Sequence, residues 1–451
     1  MLCYSSSVSS SNLPDLGASD LKEYDAQTET ALGRAFSTAL HQYYDLVKDP
    51  IILSYIRRIG SKIVAETGEN RHFSFQVINN DEINAFAGPN GVIGIHTGLI
   101  MAAESEDELA SVIAHEIAHV TLRHLSRTYE YQSNVSVSSI ATLIAAILIG
   151  SQNPGAGIAT YIGGMGLTIQ DQLKNSRIHE AEADYMGIKY LQKADYNPHA
   201  MAKFFARLEK ERQVYESNPP EILLTHPVTL SRLAKAEDRA TKLAPTNPTF
   251  KNKTLRLIQL RIASLPNNPK INQETRQQLA LSKSESCYLK TLSKSNDLNC
   301  LKKAIKLHPE QRLYKIQLAN QLALINMTQA KKNYHYLMEL YPNDFSLPYY
   351  YAASLQISNK PAEAIELLTK AIPLYFYQHT LYSQLASLYA DIKNDSKSYY
   401  YEALASFNIG NIKKSLHLTK QIKKLETNKK SQFYINLERF EKELINLDAE
   451  I

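Results

Sequence analysis

The sequence predicts a mainly α-helical chain of two domains, the first carrying a small β-sheet or hairpin and the second forming an α-helical solenoid. Three observations predict it. Apolar residues recur at spacings of three and four through residues 25–65 and again from residue 105 onward. Between these stretches, residues 73–100 switch to short extended runs broken by Gly, Pro and Asn. Beyond residue 275 the chain reads as paired helices that repeat about every 34 residues. A length of 451 residues also exceeds what one domain usually holds. Composition is that of an ordinary globular protein, 44% hydrophobic and 21% charged. The net charge of +5, without a dense basic stripe, argues against a nucleic-acid partner.

Residues 1–20 read as an N-terminal lead. The opening MLCYSSSVSSSNLPDLG has neither a basic region nor an apolar run of signal-peptide length. A Ser-rich start of this kind fits the stretch after an export signal, so the expectation is a remnant of an exported N-terminus. ETALGRAFSTALHQYYDLV and IILSYIRRIGSKIVAETG then read as helices. FSFQVINN is a short strand, and NAFAGPNGVIGIHTGLI holds two extended runs around a Pro-Asn-Gly break, which predicts a hairpin. A strong helix follows over residues 105–128, its acids Glu106, Asp107 and Glu108 placed where the helix dipole favours them.

The longest apolar stretch, residues 135–150 (VSVSSIATLIAAILIG), falls short of the roughly 20 residues that a membrane span needs. With the Gly-rich residues 155–167 it reads as a buried or interfacial hairpin, placed in chain order to cover a cleft as a lid. Membrane contact is therefore expected to be peripheral at most. A helix covers residues 178–194, and Asn197-Pro198 starts another that reaches residue 212. The pattern weakens around residues 240–275 into Pro- and Asn-containing turns, which sets the expected domains at 21–245 and 246–451.

In the second domain Ala304 with Pro309 recurs as Leu337 with Pro342, and Ala352 recurs as Ala386. This resembles a tetratricopeptide array of about four units, in which small residues let paired helices approach. The three cysteines, Cys3, Cys287 and Cys300, match no zinc ribbon. Cys287 and Cys300 either pair, in an oxidising compartment, or sit as two separate buried thiols.

The chemical signal lies in His115-Glu116-Ile117-Ala118-His119. Residues four apart share one helix face, so both imidazoles reach one metal ion. Zinc accepts such neutral nitrogen donors, and the apolar flanks Val112, Ile113 and Val120 predict a buried helix. Two His and a Glu buried together need a compensating role, because unpaired buried charge is costly. A catalytic zinc takes three protein ligands and keeps one position open, so a third ligand must come from elsewhere. In His179-Glu180-Ala181-Glu182-Ala183-Asp184, Glu180 and Asp184 share a helix face. Glu180 is the expected ligand, and Asp184 the group that steadies a ligand histidine from behind. Glu182 points elsewhere and reads as a solvated face. His96, His124 and His179 read as structural.

These residues, with Asn84-Ala85-Phe86 and Thr97-Gly98-Leu99-Ile100 ahead of them, resemble the M48 peptidase family over about residues 20–240. The resemblance implies a zincin-like metallopeptidase domain with one Zn2+ per chain, held by His115, His119 and Glu180. It also implies roles for Leu224-Thr225-His226-Pro227 and Arg232. By likeness to the family's His-Pro loop, His226 is either a fourth ligand that keeps the enzyme latent or a donor to the oxyanion. Arg232 lies at the edge of the site. From residues alone, His226 is a single loop histidine.

The implied reaction is peptide-bond hydrolysis, with Glu116 as general base. The combination with C-terminal repeats resembles the outer-membrane protein-assembly branch of the family. That likeness implies unfolded or stalled outer-membrane β-barrel proteins as clients, the β-barrel assembly machinery as partner, and a periplasmic location. The protein would both assist assembly and degrade misfolded forms. A repeat-domain chaperone or scaffold with a latent or vestigial metal site is the competing expectation. A membrane-anchored member of the family is a third, weakened by the lack of a segment long enough to span.

Overall fold

The computed structural model describes residues 26–130, 169–214, 220–243, 252–265, 281–292 and 297–448. The expected lead at 1–20 and the expected lid at 135–167 lie outside the described residues. Helix α1 (Ala26–Tyr43) and helix α2 (Pro50–Val64) come first. Asp49 starts α2 by accepting from the backbone N–H groups of Ile51 and Ile52, and Pro50 fits the first turn, where no N–H is needed.

Strand β1 (Ser74–Ile78), strand β2 (Ala85–Ala87) and strand β3 (Val92–His96) form one sheet in the order β1-β3-β2. β2 runs antiparallel to β3, as the hairpin reading predicts, and Asn90 and Gly91 take positive φ in its turn. β1 joins β3 in parallel with Val77 opposite Ile95. The second extended run is shorter than expected. It ends at His96, and residues Thr97–Ala102 form helix α3. The cause is a corner: the Thr97 hydroxyl donates to the Asn80 carbonyl and accepts from the Asn80 N–H, and the Gly98 N–H also donates to the Asn80 carbonyl. These bonds turn the chain off the sheet.

Helix α4 (Glu106–Thr121) is capped by Ser105, which accepts from the Glu108 N–H. The Glu108 carboxylate in turn accepts from the Glu104 N–H and from Arg207. The expected helix over 105–128 is in fact two. The chain breaks at Leu122-Arg123, with Arg123 at φ 54°, and resumes as helix α5 (His124–Glu130). Helix α6 (Ile169–Lys193) starts earlier than sequence suggested and lies along α4. Helix α7 (Ala200–Val214), the short helix α8 (Glu221–Thr225) and helix α9 (Leu230–Thr241) complete the first half.

Helix α10 (Asn252–Ile262) packs against α2, α3 and α4. Gln259 donates to the carbonyls of Ile100 and Ala103, and the buried Arg261 meets Asp49 at 2.6 Å and the Tyr350 hydroxyl at 2.6 Å. One hydrophobic core therefore runs from Val47 in the first half to Tyr389 in the second.

Ten further helices follow as five successive contacting pairs among the described residues. They are α11 (Lys283–Leu292) with α12 (Leu298–Leu307), α13 (Arg312–Ala323) with α14 (Met327–Leu340), α15 (Ser346–Ile357) with α16 (Pro361–Ala371), α17 (His379–Asp391) with α18 (Asp395–Asn408), and α19 (Ile412–Leu425) with α20 (Gln432–Asp448). From the second pair on, leading helices start at Arg312, Ser346, His379 and Ile412, 34, 33 and 33 residues apart. Ala304, Leu337, Ala352 and Ala386, the residues that marked the repeat, are all buried between helices. Five pairs thus stand where the sequence suggested about four units, and the first pair has the shortest helices, 10 residues each. A disulfide joins Cys287 to Cys300 across this pair, which resolves the open alternative in favour of pairing. No helix among the described residues is long and apolar enough to cross a membrane.

Gly98 is where the corner leaves no room. A Cβ there would lie 2.2 Å from the Asp81 carbonyl oxygen and 2.3 Å from that of Glu82, and backbone cannot swing aside as a side-chain tip can. Gly98→Ala should lower stability by about 1–3 kcal/mol, seen as a lower midpoint in thermal or urea unfolding. An unchanged midpoint would mean that the corner relaxes freely.

Candidate metal centre

The site is built from α4, α6 and the loop after α8. On α4, His115 and His119 project from one face, their Nε2 atoms 3.0 Å apart. The helix is buried along Leu109–Ala118, so both rings are desolvated. α6 crosses α4 and presents Glu180, whose carboxylate is 3.4 Å from each histidine Nε2. The chain after α8 brings His226, with Nδ1 2.9 Å from Glu180 Oε1 and 3.4 Å from His115 Nε2. His115, His119, Glu180 and His226 each aim one donor atom at a common point, all within 4.8 Å of one another.

Lone pairs converging at such distances repel unless a cation or proton stands between them. Three imidazole nitrogens and one carboxylate oxygen form the borderline donor set that suits zinc. These residues therefore fit the metal that the sequence implied. Glu116 is buried beside them, with Oε1 3.5 Å from His226 Nε2.

A second set of groups orients the first. Asp184, one turn beyond Glu180, stands 3.2 Å from His115 Nδ1. That contact keeps the ring proton on Nδ1 and turns Nε2 toward the common point. Arg232 grips Asp184 with two bonds of 2.8 Å, meets Glu180 Oε2 at 3.0 Å and donates to the Pro227 carbonyl at 2.7 Å. Burial alone would raise the Asp184 pKa, but its bonds to Arg232 and His115 hold it at about 2. Burial likewise opposes a charged Glu180, yet His226, His115 and His119 keep that carboxyl well below its usual range. For His115, burial lowers the pKa, and Asp184 and Glu180 more than offset this and raise it to about 10.

The residues singled out in sequence as His115, Glu116, His119, Glu180, Asp184, His226 and Arg232 thus fall in one buried cluster. Two others need correction. Glu182 is no idle solvated face: it accepts from His124 Nε2 at 3.0 Å and from Arg127 at 2.6 Å. His124 is indeed off the ligand face of α4, but the break at Arg123 turns its ring back so that its Nδ1 meets His119 Nδ1 at 3.0 Å. Burial, the neighbouring His179 and Arg127 lower the His124 pKa to about 4 despite Glu182, so the ring stays neutral and accepts at Nδ1 while donating to Glu182. His119 therefore has an orienting chain of its own, His124-Glu182-Arg127, against which His179 stacks at 4.3 Å. The five-residue spacing of His124 from His119 hid this, because it connects only where the helix is broken. His96 lies outside the cluster.

Residues 53–240 match Peptidase family M48. The β-barrel assembly-enhancing protease of Escherichia coli is 38% identical over 238 residues, 52% of this chain and 49% of that protein. The protein of the same name in Yersinia pestis is 36% identical over 254 residues, 56% of this chain and 52% of its own length. The mitochondrial metalloendopeptidase OMA1 of Schizosaccharomyces pombe is 30% identical over 186 residues, 41% of this chain and 52% of that protein. The chain spans about half the length of the curated relatives it matches.

Asp184→Asn would leave the Arg232 fork facing a neutral amide and loosen the His115 ring. Zinc affinity should fall roughly 10- to 100-fold, measured by competition with a chromophoric chelator. Affinity equal to the wild type would show that His115 needs no such partner.

Proposed function

Because residues 53–240 form a peptidase family M48 domain, we propose that the protein is a zinc-dependent endopeptidase whose described conformation is latent. The observation that carries this is the convergence of His115, His119, Glu180 and His226 on one point. His115, His119 and Glu180 are the catalytic ligand set. His226 fills the fourth position, which a working hydrolytic site keeps open for substrate. One zinc ion at this centre, when bound, supplies Lewis acidity for the carbonyl and lowers the pKa of water toward neutrality.

The protein's own groups do the rest. Glu116 stands beside the common point, its Oε1 3.5 Å from His226 Nε2, so it serves as general base toward the attacking water and then passes the proton to the departing amide nitrogen. Asp184 and His124 hold the two ligand rings in their working tautomers. Arg232 holds the Pro227 carbonyl, and with it the loop that carries His226. Substrate entry requires His226 to leave while Arg232 keeps Asp184 and Glu180 in place.

The clients we infer are unfolded or stalled outer-membrane β-barrel proteins, in the periplasm, with the β-barrel assembly machinery as partner. Support comes from the names of the bacterial relatives and from a disulfide, which fits an oxidising compartment. Residues 246–451 act as the client-binding domain and residues 21–245 as the peptidase. Exposed Tyr336, Phe376, Tyr377 and Leu374 on the repeats give apolar contacts to an extended chain. The same surface supports a second role as a chaperone, which would survive loss of cleavage.

Wild type and Glu116→Gln should carry equal zinc at the site, with cleavage of an unfolded β-barrel protein only in the wild type. The loss should be on the order of 100-fold or more, and a chelator should abolish wild-type activity. Retained cleavage in Glu116→Gln would remove Glu116 from the mechanism. His226→Ala separates the two roles of His226: a latch predicts faster cleavage, whereas an oxyanion donor predicts a drop of about 100-fold.

A further inference from the structure

A second group of ligand-type side chains lies away from this centre. Glu82, in the loop before β2, His96, the last residue of β3, and Glu221, the first of α8, bring one donor atom each within 4.8 Å of one another. His96 is fully buried, and neither ring nitrogen has a well-aligned hydrogen-bond partner, the nearest being a loose contact with the Glu82 backbone. Glu221 is 4% exposed, and its carboxyl makes no well-aligned hydrogen bond, only looser contacts with the Glu82 carboxyl and the Asn84 side chain. The buried Asn84 side-chain oxygen likewise has no well-aligned partner. Buried polar atoms are almost always well paired, so three neighbouring side chains with such poor pairing call for a further partner.

The missing partner is cationic. The groups acting on Glu221 are Glu82 and Asn84, with no Lys or Arg among them. Burial, and the Glu82 carboxyl beside it, push the Glu221 carboxyl up to about 9. Burial also drops the His96 ring to about 4, leaving a neutral imidazole with a free lone pair. A divalent ion bound here would displace the proton from the Glu82–Glu221 carboxyl pair and take the neutral imidazole as a further donor.

We propose that Glu82, His96 and Glu221 form a second cation site, which takes a divalent first-row transition ion such as zinc. An imidazole donor disfavours Ca2+ and Mg2+, which prefer all-oxygen shells. The backbone around the site is already fixed. The His96 N–H donates to the Asn84 carbonyl, the Ile222 N–H donates to the Ile83 carbonyl at 3.0 Å, and Gly98 lets Glu82 pack on the corner after β3. The role follows from position. Glu221 opens α8, and α8 ends directly before His226. An ion here pins the root of the loop that closes the catalytic centre.

The test uses zinc itself on the full chain, loaded in excess, freed of loose metal by gel filtration and counted by elemental analysis. Wild type should retain about two ions and each of Glu221→Gln and Glu82→Gln about one, since removing a charged ligand greatly weakens a three-donor site. Glu180→Gln, which removes a ligand of the first centre, should also retain about one. Zinc should raise the unfolding temperature of Glu180→Gln but not of Glu180→Gln combined with Glu221→Gln. Circular dichroism establishes that each variant is folded, and Glu82→Gln, at a partly exposed position, covers failure of the buried variant. One ion in wild type, lost in Glu180→Gln and kept in Glu221→Gln, overturns the second site and leaves a carboxyl pair sharing a proton. One ion lost in Glu221→Gln and kept in Glu180→Gln supports the second site and sinks the first.

Discussion

The Arg232 guanidinium is the contact on which the geometry of the metal centre rests. Its planar fork makes two bonds to Asp184, a third contact to Glu180 and a fourth to the Pro227 carbonyl. Without it, Asp184 and Glu180 would be two carboxylates one turn apart in a buried groove, and their repulsion would drive one to protonate or turn outward. With it, both stay ionised: Asp184 fixes the tautomer of His115, and Glu180 offers its other oxygen to the common point. Lys could not replace it, because a single ammonium cannot span two carboxylates and a carbonyl in fixed directions.

That one cation also ties the His226 loop to the ligand helix. Pro227 adjoins His226, so its carbonyl hydrogen bond to Arg232 sets where the His226 ring can reach. α9 carries Arg232, its first turn capped by Thr229, which accepts from the Arg232 N–H. The His226 loop therefore has two anchors, Arg232 on its C-terminal side and α8 on its N-terminal side. Between them lie only a few residues, so the loop is short and held at both ends.

Much of this was legible in the sequence, and the divide follows range of interaction. His115, Glu116 and His119 were readable because a helix repeats its face every few residues whatever surrounds it. Glu180 and Asp184 followed from the same rule. The β2–β3 hairpin was readable because Asn90 and Gly91 supply positive φ. What depends on tertiary placement was hidden. The break at Arg123 reassigns both His124 and Glu182, and no local pattern announces it. α3 replaces an expected extended run because Asn80, far back in the chain, captures Thr97 and Gly98. Glu82, His96 and Glu221 carry no spacing at all, since they come from three separate segments.

The join between the halves constrains how the centre can be used. Asp49 accepts from the first turn of α2 and from Arg261 on α10, so one carboxylate both starts a helix of the peptidase half and docks the helix that leads into the repeats. Arg261 then reaches Tyr350 on α15, and Ser54 on α2 donates to Asp344 just before α15. Removing one partner of a buried charge pair costs about 3–5 kcal/mol, so a hinge at this point would have to break several such contacts together. The repeats are therefore set at a fixed position relative to α4. Under the proposed function, a client chain held on them cannot be carried to the site by domain swinging. It must reach the centre by its own length and slack, so stalled, extended polypeptide is favoured over a folded barrel by geometry alone, before the His226 loop opens.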